Sequence, residues 1–112
     1  MNYIISGKVI RGYGYGKKIG FPTVNLETEI KEFQLKGVYA GTAILENKEY
    51  RAGIIIGPNN KIEAHLINYS GDAYGKDVTL KIEKFLREYK IFKTEKELIA
   101  QIEKDLKECL QA

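Results

Sequence analysis

In the stretch GFPTVN, Thr23 and Asn25 stand two residues apart. In an extended chain that spacing turns both side chains to one face, where each presents a neutral oxygen. Just before them, GYGYGKKIGFPT places Gly12, Gly14, Gly16 and Gly20 within nine positions, with Lys17 and Lys18 between the last two. Glycine loses more backbone freedom on folding than any other residue, so this density needs a reason, and close approach to a ligand or tight turning supplies one. Successive backbone N–H groups in such a loop line an anion-binding concavity, and the adjacent lysines concentrate positive charge there. Neutral oxygens beside bound phosphates suit Mg²⁺, which takes few protein ligands when a nucleotide supplies the others. Spacing alone also accommodates a hairpin tip for the loop, and turn or capping roles for Thr23 and Asn25.

Two familiar phosphate motifs are excluded. A P-loop needs four residues between its glycines and then Lys-Ser or Lys-Thr, whereas three separate Gly12 from Gly16 and Lys17-Lys18 follows. The dinucleotide fingerprint needs a helix after its last glycine, but Phe21-Pro22 follows Gly20.

Further along, KIEAHLINY sets Glu63 and His65 on one face of a strand, with Ile62, Ala64 and Leu66 on the other. A carboxylate in mid-strand is uncommon, and Glu63 is therefore a candidate general base as well as a candidate solvated side chain. The lone His65 fits a hydrogen-bonded structural role. Arg87 suits either a phosphate or a carboxylate partner, because its planar fork matches both.

The elements that must position these groups follow from periodicity. Short β-branched and aromatic segments bounded by glycine, asparagine and aspartate predict strands near 3–10, 37–46, 48–57, 61–69 and 77–86, with a shorter extended piece near 21–26. In the 77–86 strand Val78, Leu80, Ile82 and Leu86 are expected on one face, and Thr79, Lys81 and Glu83 on the other. LENKEY and GPNNKI carry the turn residues of two antiparallel hairpins. After Phe92 the period lengthens. Thr94 and Glu97 fit a capping box, and Leu98, Ile102, Leu106 and Leu110, with Ile99 and Cys109, form the apolar stripe of one helix. Short antiparallel strands with one covering helix predict a small β-barrel, which closes its own edges.

Composition agrees with this reading. A chain of 112 residues, 44% hydrophobic and 29% charged, suits one domain spanning 1–112. No apolar run approaches a membrane span, and the first residues do not resemble a signal peptide. The single Cys109 fits a reducing, cytoplasmic compartment and excludes a multi-cysteine zinc site. A net charge of +3 does not require a nucleic-acid partner.

Taken in order, GKVIRGYGYGKKIGFPTVNL, KGVYAG, IEAHLINYSGDAYGKDVTL and FLREYKIFKTEKELIAQIEKD resemble a riboflavin kinase of the bacterial and eukaryotic type. In many bacteria this domain is the C-terminal half of a bifunctional FAD synthetase, and the resemblance here is to the kinase half alone. The archaeal CTP-dependent kinases are not similar in motif. The resemblance implies a six-stranded antiparallel Greek-key barrel with one C-terminal helix. It implies transfer of the ATP γ-phosphoryl group to the ribityl 5′-hydroxyl of riboflavin, giving FMN and ADP, with Mg²⁺ as cofactor.

By the same resemblance Gly12, Gly14, Gly16 and one of Lys17 and Lys18 lie near the phosphates, and Thr23 and Asn25 hold Mg²⁺ and phosphate. Glu63 takes the hydroxyl proton, while Tyr74, Gly75 and Arg87 lie on the flavin side. The stretch IGPNNKIEAH is shorter than its usual bacterial counterpart, although Glu63 stays in register. Neither a nucleic-acid nor a membrane partner is implied, and a monomer is expected. Two other readings remain: a flavin-binding or regulatory module without catalysis, and a small barrel that stacks single-stranded nucleic acid on its tyrosines.

Overall fold

The computed structural model describes residues 3–12, 14–28 and 36–111. In them, β1 (Tyr3–Ile10), β2 (Val24–Glu27), β3 (Gly37–Leu45), β4 (Lys48–Ile56), β5 (Ile62–Leu66) and β6 (Asp77–Arg87) close into a barrel. Around the barrel the order is β1-β2-β5-β4-β3-β6, and every neighbouring pair is antiparallel. One long helix, α2 (Glu95–Gln111), covers part of the outer wall, and a single helical turn, α1 (Tyr15–Lys18), interrupts the glycine loop. No described helix is long and apolar enough to cross a membrane.

The turns follow from residue chemistry. Glu46 and Asn47 both adopt positive φ (52° and 65°), which gives a two-residue connection the twist of its flanking strands, and Leu45 pairs directly with Lys48. Asn59 supplies the positive φ (60°) in the turn between β4 and β5, and the Gly57 N–H donates to the Lys61 carbonyl at 2.9 Å to close it.

Alternation decides what lies inside the barrel. Ile62, Ala64 and Leu66 of β5, Ala52, Ile54 and Ile56 of β4, and Val78, Leu80 and Ile82 of β6 are buried in the core with Ile5, Leu26 and Leu45. The interior is thus filled by hydrocarbon, and the residues of opposite parity, Glu63 and His65 among them, face outward.

On β6 the alternation fails after Ile82, because two bulges shift its register against β3. Gly41 pairs with Ile82 but Ala40 with Lys84, and Tyr39 pairs with Phe85 but Val38 with Arg87, which leaves Glu83 and Leu86 as the inserted residues. Bulges bend a strand and re-aim its side chains. Lys84 is exposed and Leu86 only half-buried, contrary to the simple alternation, while Arg87 comes to rest under α2. β2 is also shorter than expected, since Phe21 to Thr23 lie outside it.

Thr94 caps α2 by accepting a hydrogen bond from the Glu97 N–H at 3.1 Å. Two arginines clamp the helix to the barrel. Arg87 Nη2 donates to Asp105 Oδ2 at 2.8 Å near the middle of the helix. Arg51 donates through Nε to the Cys109 carbonyl at 3.1 Å, and through Nη1 to Glu83 at 2.6 Å and Thr42 at 2.9 Å. The hydrogen bond from Arg51 holds the Glu83 carboxyl below the usual carboxylate range.

Between these clamps Leu106 and Cys109 approach β4 at Gly53, where a side chain would meet Leu106 Cδ2 at 3.5 Å and Cys109 Sγ at 3.7 Å. Burial pushes the Cys109 thiol up to about 11, so it is neutral at ordinary pH. Leu110, expected in the helix stripe, is instead 61% exposed, and the buried polar residue on the covered face is Asp105, neutralised by Arg87.

Candidate functional site

Two cavities open on the barrel, the first on its outer wall and the second reaching the core residues Val9, Ala64 and Leu66. The first, about 280 Å³, lies between α2 and the outer faces of β4 and β5; Phe21, Ile55, Phe92 and Ile102 give it an apolar wall, and Glu63, His65 and Arg87 give it polar points. The second, about 670 Å³, lies beside β1 and β2 and is lined by Arg11, Gly12, Lys17, Asn25, Asp72 and Tyr74, among others. Thr23 and Gly14 line both. An extended polar ligand in the second cavity and a flat apolar one in the first would therefore meet at Thr23.

The strand pairing brings the key groups together. Asn25 of β2 lies directly opposite Glu63 of β5, and β-carbons of such a pair are roughly 5 Å apart on one face. Glu63 also sits opposite Ile55, so its carboxylate rises from the apolar floor of the first cavity. Its side chain is 27% exposed and has the Lys61 ammonium 3.9 Å away. That separation leaves the carboxylate without a tight ion pair.

His65 has the structural role expected of it. Its Nδ1 lies 2.6 Å from the Pro22 carbonyl oxygen, and because a carbonyl only accepts, Nδ1 carries the proton. The Phe21 ring stands edge-on to the imidazole at 6.0 Å. This hydrogen bond and ring contact fix the segment leading into Thr23, in which proline can donate no backbone bond of its own.

The glycines have distinct reasons. Gly14 and Gly20 adopt positive φ (72° and 96°) with open space where a side chain would be, so the backbone conformation is what requires them. Gly12 is different, since a β-carbon there would overlap the Asn25 side-chain amide. Gly16 falls within α1, a turn that the sequence reading did not foresee and that is closed by Lys18 N–H donating to the Gly14 carbonyl at 3.2 Å. Of the two lysines, Lys17 lines the second cavity and Lys18 lines neither.

The three residues expected on the flavin side lie apart in the structure. Tyr74 lines the second cavity, away from Arg87, and Gly75 lines neither. The Gly75 N–H donates to the Val9 carbonyl at 2.9 Å, tying this loop to β1 rather than to the α2 side. Arg87 does line the first cavity, but its fork is engaged by Asp105, whose other partner is Gln101 at 2.9 Å. Arg87 thereby builds the cavity wall by holding α2 down. Arg11, at the rim of the second cavity, was not singled out from sequence; its only signal was a cation next to the glycine run.

The residues present fit a magnesium–nucleotide complex better than a site for a free metal ion. No group of three or more His, Cys, Asp or Glu able to hold a metal occurs among the described residues, whereas Thr23 and Asn25 offer neutral oxygens on the cavity lined by Lys17.

A family model described as Flavokinase, riboflavin kinase, matches residues 1–112. The chain is 31% identical over 111 residues to the bifunctional riboflavin kinase/FMN adenylyltransferase of Escherichia coli K12, an alignment covering 92% of this chain and 36% of that protein. It therefore spans about a third of that relative. A macrolide-efflux protein from Streptococcus pneumoniae shares the fold with a TM-score of 0.88 at 24% identity, over 95% of this chain and 38% of that one. Riboflavin kinase from Trypanosoma brucei superposes with a TM-score of 0.73 at 18% identity, over 98% and 76% of the two chains.

Proposed function

Since this chain belongs to the riboflavin kinase family, we propose that it phosphorylates the ribityl 5′-hydroxyl of riboflavin with MgATP, yielding FMN and ADP. The observation that carries this reading is Thr23 on the wall shared by two cavities, one beneath α2 and one beside the glycine loop. The apolar cavity under α2 suits a flavin ring, and the cavity beside the glycine loop suits the nucleotide. Tyr74 belongs on the nucleotide side in this scheme.

Phosphoryl transfer asks the protein mainly to align and to stabilise charge. The ribityl chain runs from the flavin cavity toward Thr23, where Glu63 accepts the proton of the attacking hydroxyl. As the new O–P bond forms, the bond from the γ-phosphorus to the bridging oxygen breaks and ADP leaves. Lys17 and the loop amides of Gly12, Gly14 and Gly16 face the phosphates, with Lys18 at the loop surface. Thr23 and Asn25 hold Mg²⁺, which supplies charge neutralisation to the phosphate oxygens. A base so placed contributes ~10²–10⁴-fold. Arg87 acts on the flavin side by securing the wall of its cavity. The enzyme works as a monomer, both cavities being built from one chain, and the single thiol fits a cytoplasmic setting.

Incubating the protein with riboflavin and either MgATP or MgCTP, then separating the flavins by chromatography, tests this. FMN with stoichiometric ADP is expected from MgATP. Tight flavin binding without ADP would instead establish a non-catalytic flavin module.

The overlap at Gly12 gives a second expected outcome. Gly12→Ala should push the Asn25 amide out of place and lower turnover by ~10-fold or more, since small displacements of positioning groups have large effects on rate. If both act through one amide, Gly12→Ala combined with Asn25→Ala should be little worse than Asn25→Ala alone. Fully multiplicative losses in steady-state kinetics would contradict that coupling.

A further inference from the structure

Arg11 leaves the end of β1 immediately after Ile10, whose cross-strand partner is Asn25. Its guanidinium carbon lies 4.1 Å above the centre of the Tyr74 ring. Among the described residues the Arg11 side chain makes no hydrogen bond or ion pair, and its partner there is the ring face. A guanidinium resting on a ring keeps its five N–H donors available in its own plane, a geometry suited to phosphate oxygens.

The backbone that carries the ring is itself held. The Tyr74 N–H donates to Asp72 Oδ1 at 2.9 Å, Gly75 N–H to the Val9 carbonyl at 2.9 Å, and Val9 N–H to the Lys76 carbonyl at 2.8 Å. The loop is thus fastened to the same strand from which Arg11 emerges. Asp72, the carboxylate on this wall, is engaged by that backbone N–H and is not paired with Arg11. Arg11 and Lys17 are the cations lining the cavity, and both are exposed.

We propose that Arg11 binds the phosphate chain of the nucleoside triphosphate and that Tyr74 is a positioning residue that keeps the guanidinium aimed into the cavity. A long side chain held in place before the ligand arrives loses less freedom on binding, so the stack strengthens the contact without touching the ligand. This inference rests on the kinase reading above, and it adds a second cation to the lysine of the glycine loop.

Equilibrium binding of ATP, adenosine and inorganic tripolyphosphate to Arg11→Ala, Arg11→Lys, Tyr74→Phe, Tyr74→Leu and Arg11→Ala/Tyr74→Leu proteins tests it, with thermal unfolding and riboflavin binding as checks on folding. Arg11→Ala should weaken ATP and tripolyphosphate by ~10–100-fold and leave adenosine unchanged, as expected for loss of a charged hydrogen-bonding group. Arg11→Lys should recover part of that loss. Tyr74→Leu should weaken ATP several-fold, Tyr74→Phe should bind as wild type, and Tyr74→Leu should add nothing to Arg11→Ala. In kinetics the effect should fall on KM for ATP more than on kcat.

Equal ATP affinity in wild type and Arg11→Ala would overturn the inference while leaving the kinase reading intact. An equal loss of adenosine would overturn the phosphate role, and additive losses in the double variant would overturn the positioning role. A wild-type protein that binds no ATP would instead remove the kinase reading, and this inference with it.

Discussion

Glu63→Gln is expected to lower single-turnover phosphorylation of riboflavin by ~10²-fold or more while both substrates still bind. Glu63 projects from β5 onto the floor of the cavity assigned to the flavin, directly opposite Asn25, with the Lys61 ammonium, 3.9 Å away, as its ionic neighbour among the described residues. The amide keeps the size and one acceptor oxygen of the carboxylate but cannot take a proton at working pH. Because the Lys61 pair is long and partly solvated, its loss should move the unfolding free energy by less than ~1 kcal/mol. A large rate loss with near-normal stability is therefore the signature of the base. Measured at saturating MgATP and riboflavin, a variant within a few-fold of wild type would refute that role for Glu63, even with kinase activity established.

Asn25→Ala should depress turnover by a comparable ~10²-fold or more at low magnesium, with partial recovery as magnesium is raised. Two features make this position demanding. Its side chain is half-buried on the cavity wall, and Gly12 leaves just enough room for it. A group confined on both sides has its oxygen aimed by the fold, and misplacement of such a group by about 1 Å is enough for losses of this size. The truncation removes no core side chain, so thermal unfolding should change little. Magnesium titration of activity, run beside the melting curve, separates the outcomes: wild-type turnover at low magnesium would remove the metal role, and a collapsed melting temperature would point to folding instead.

Much of this arrangement was legible before any coordinates, and the reasons are physical. Parity alone put Glu63 and His65 on the face opposite Ile62, Ala64 and Leu66, because a strand's side chains alternate without exception unless a bulge intervenes. Asparagines at 47 and 59 announced positive φ, and Thr94 announced a cap. Less visible were features that depend on partners distant in sequence. Nothing local to Arg87 says that Asp105 occupies its fork, and nothing local to Tyr74 says that Gly75 is tied to Val9. The bulges at Glu83 and Leu86 arise from how β6 meets β3, so the alternation of the strand itself could not warn of them. The turn at Tyr15–Lys18 is too short to show a period. Gly12 was noted for its backbone, whereas its further role lies in the room it leaves for another residue's side chain.

The closure of β1 onto β6 has a consequence for how the chain is made. Ile5 finds its partner in Leu80, so β1, once synthesised, has no neighbour on one side until β6 has followed it. At roughly 5–20 residues per second that wait lasts seconds, long against the microseconds in which a local hairpin such as β3–β4 forms. For that interval the apolar face of β1 and its unpaired backbone edge are open to other nascent chains. A charged residue in this strand, Lys8, and glycine at position 7, whose absent side chain leaves room for the Glu27 carbonyl, both reduce its tendency to stack with copies of itself. The same wall that carries no edge in the finished protein is thus open on one side during synthesis.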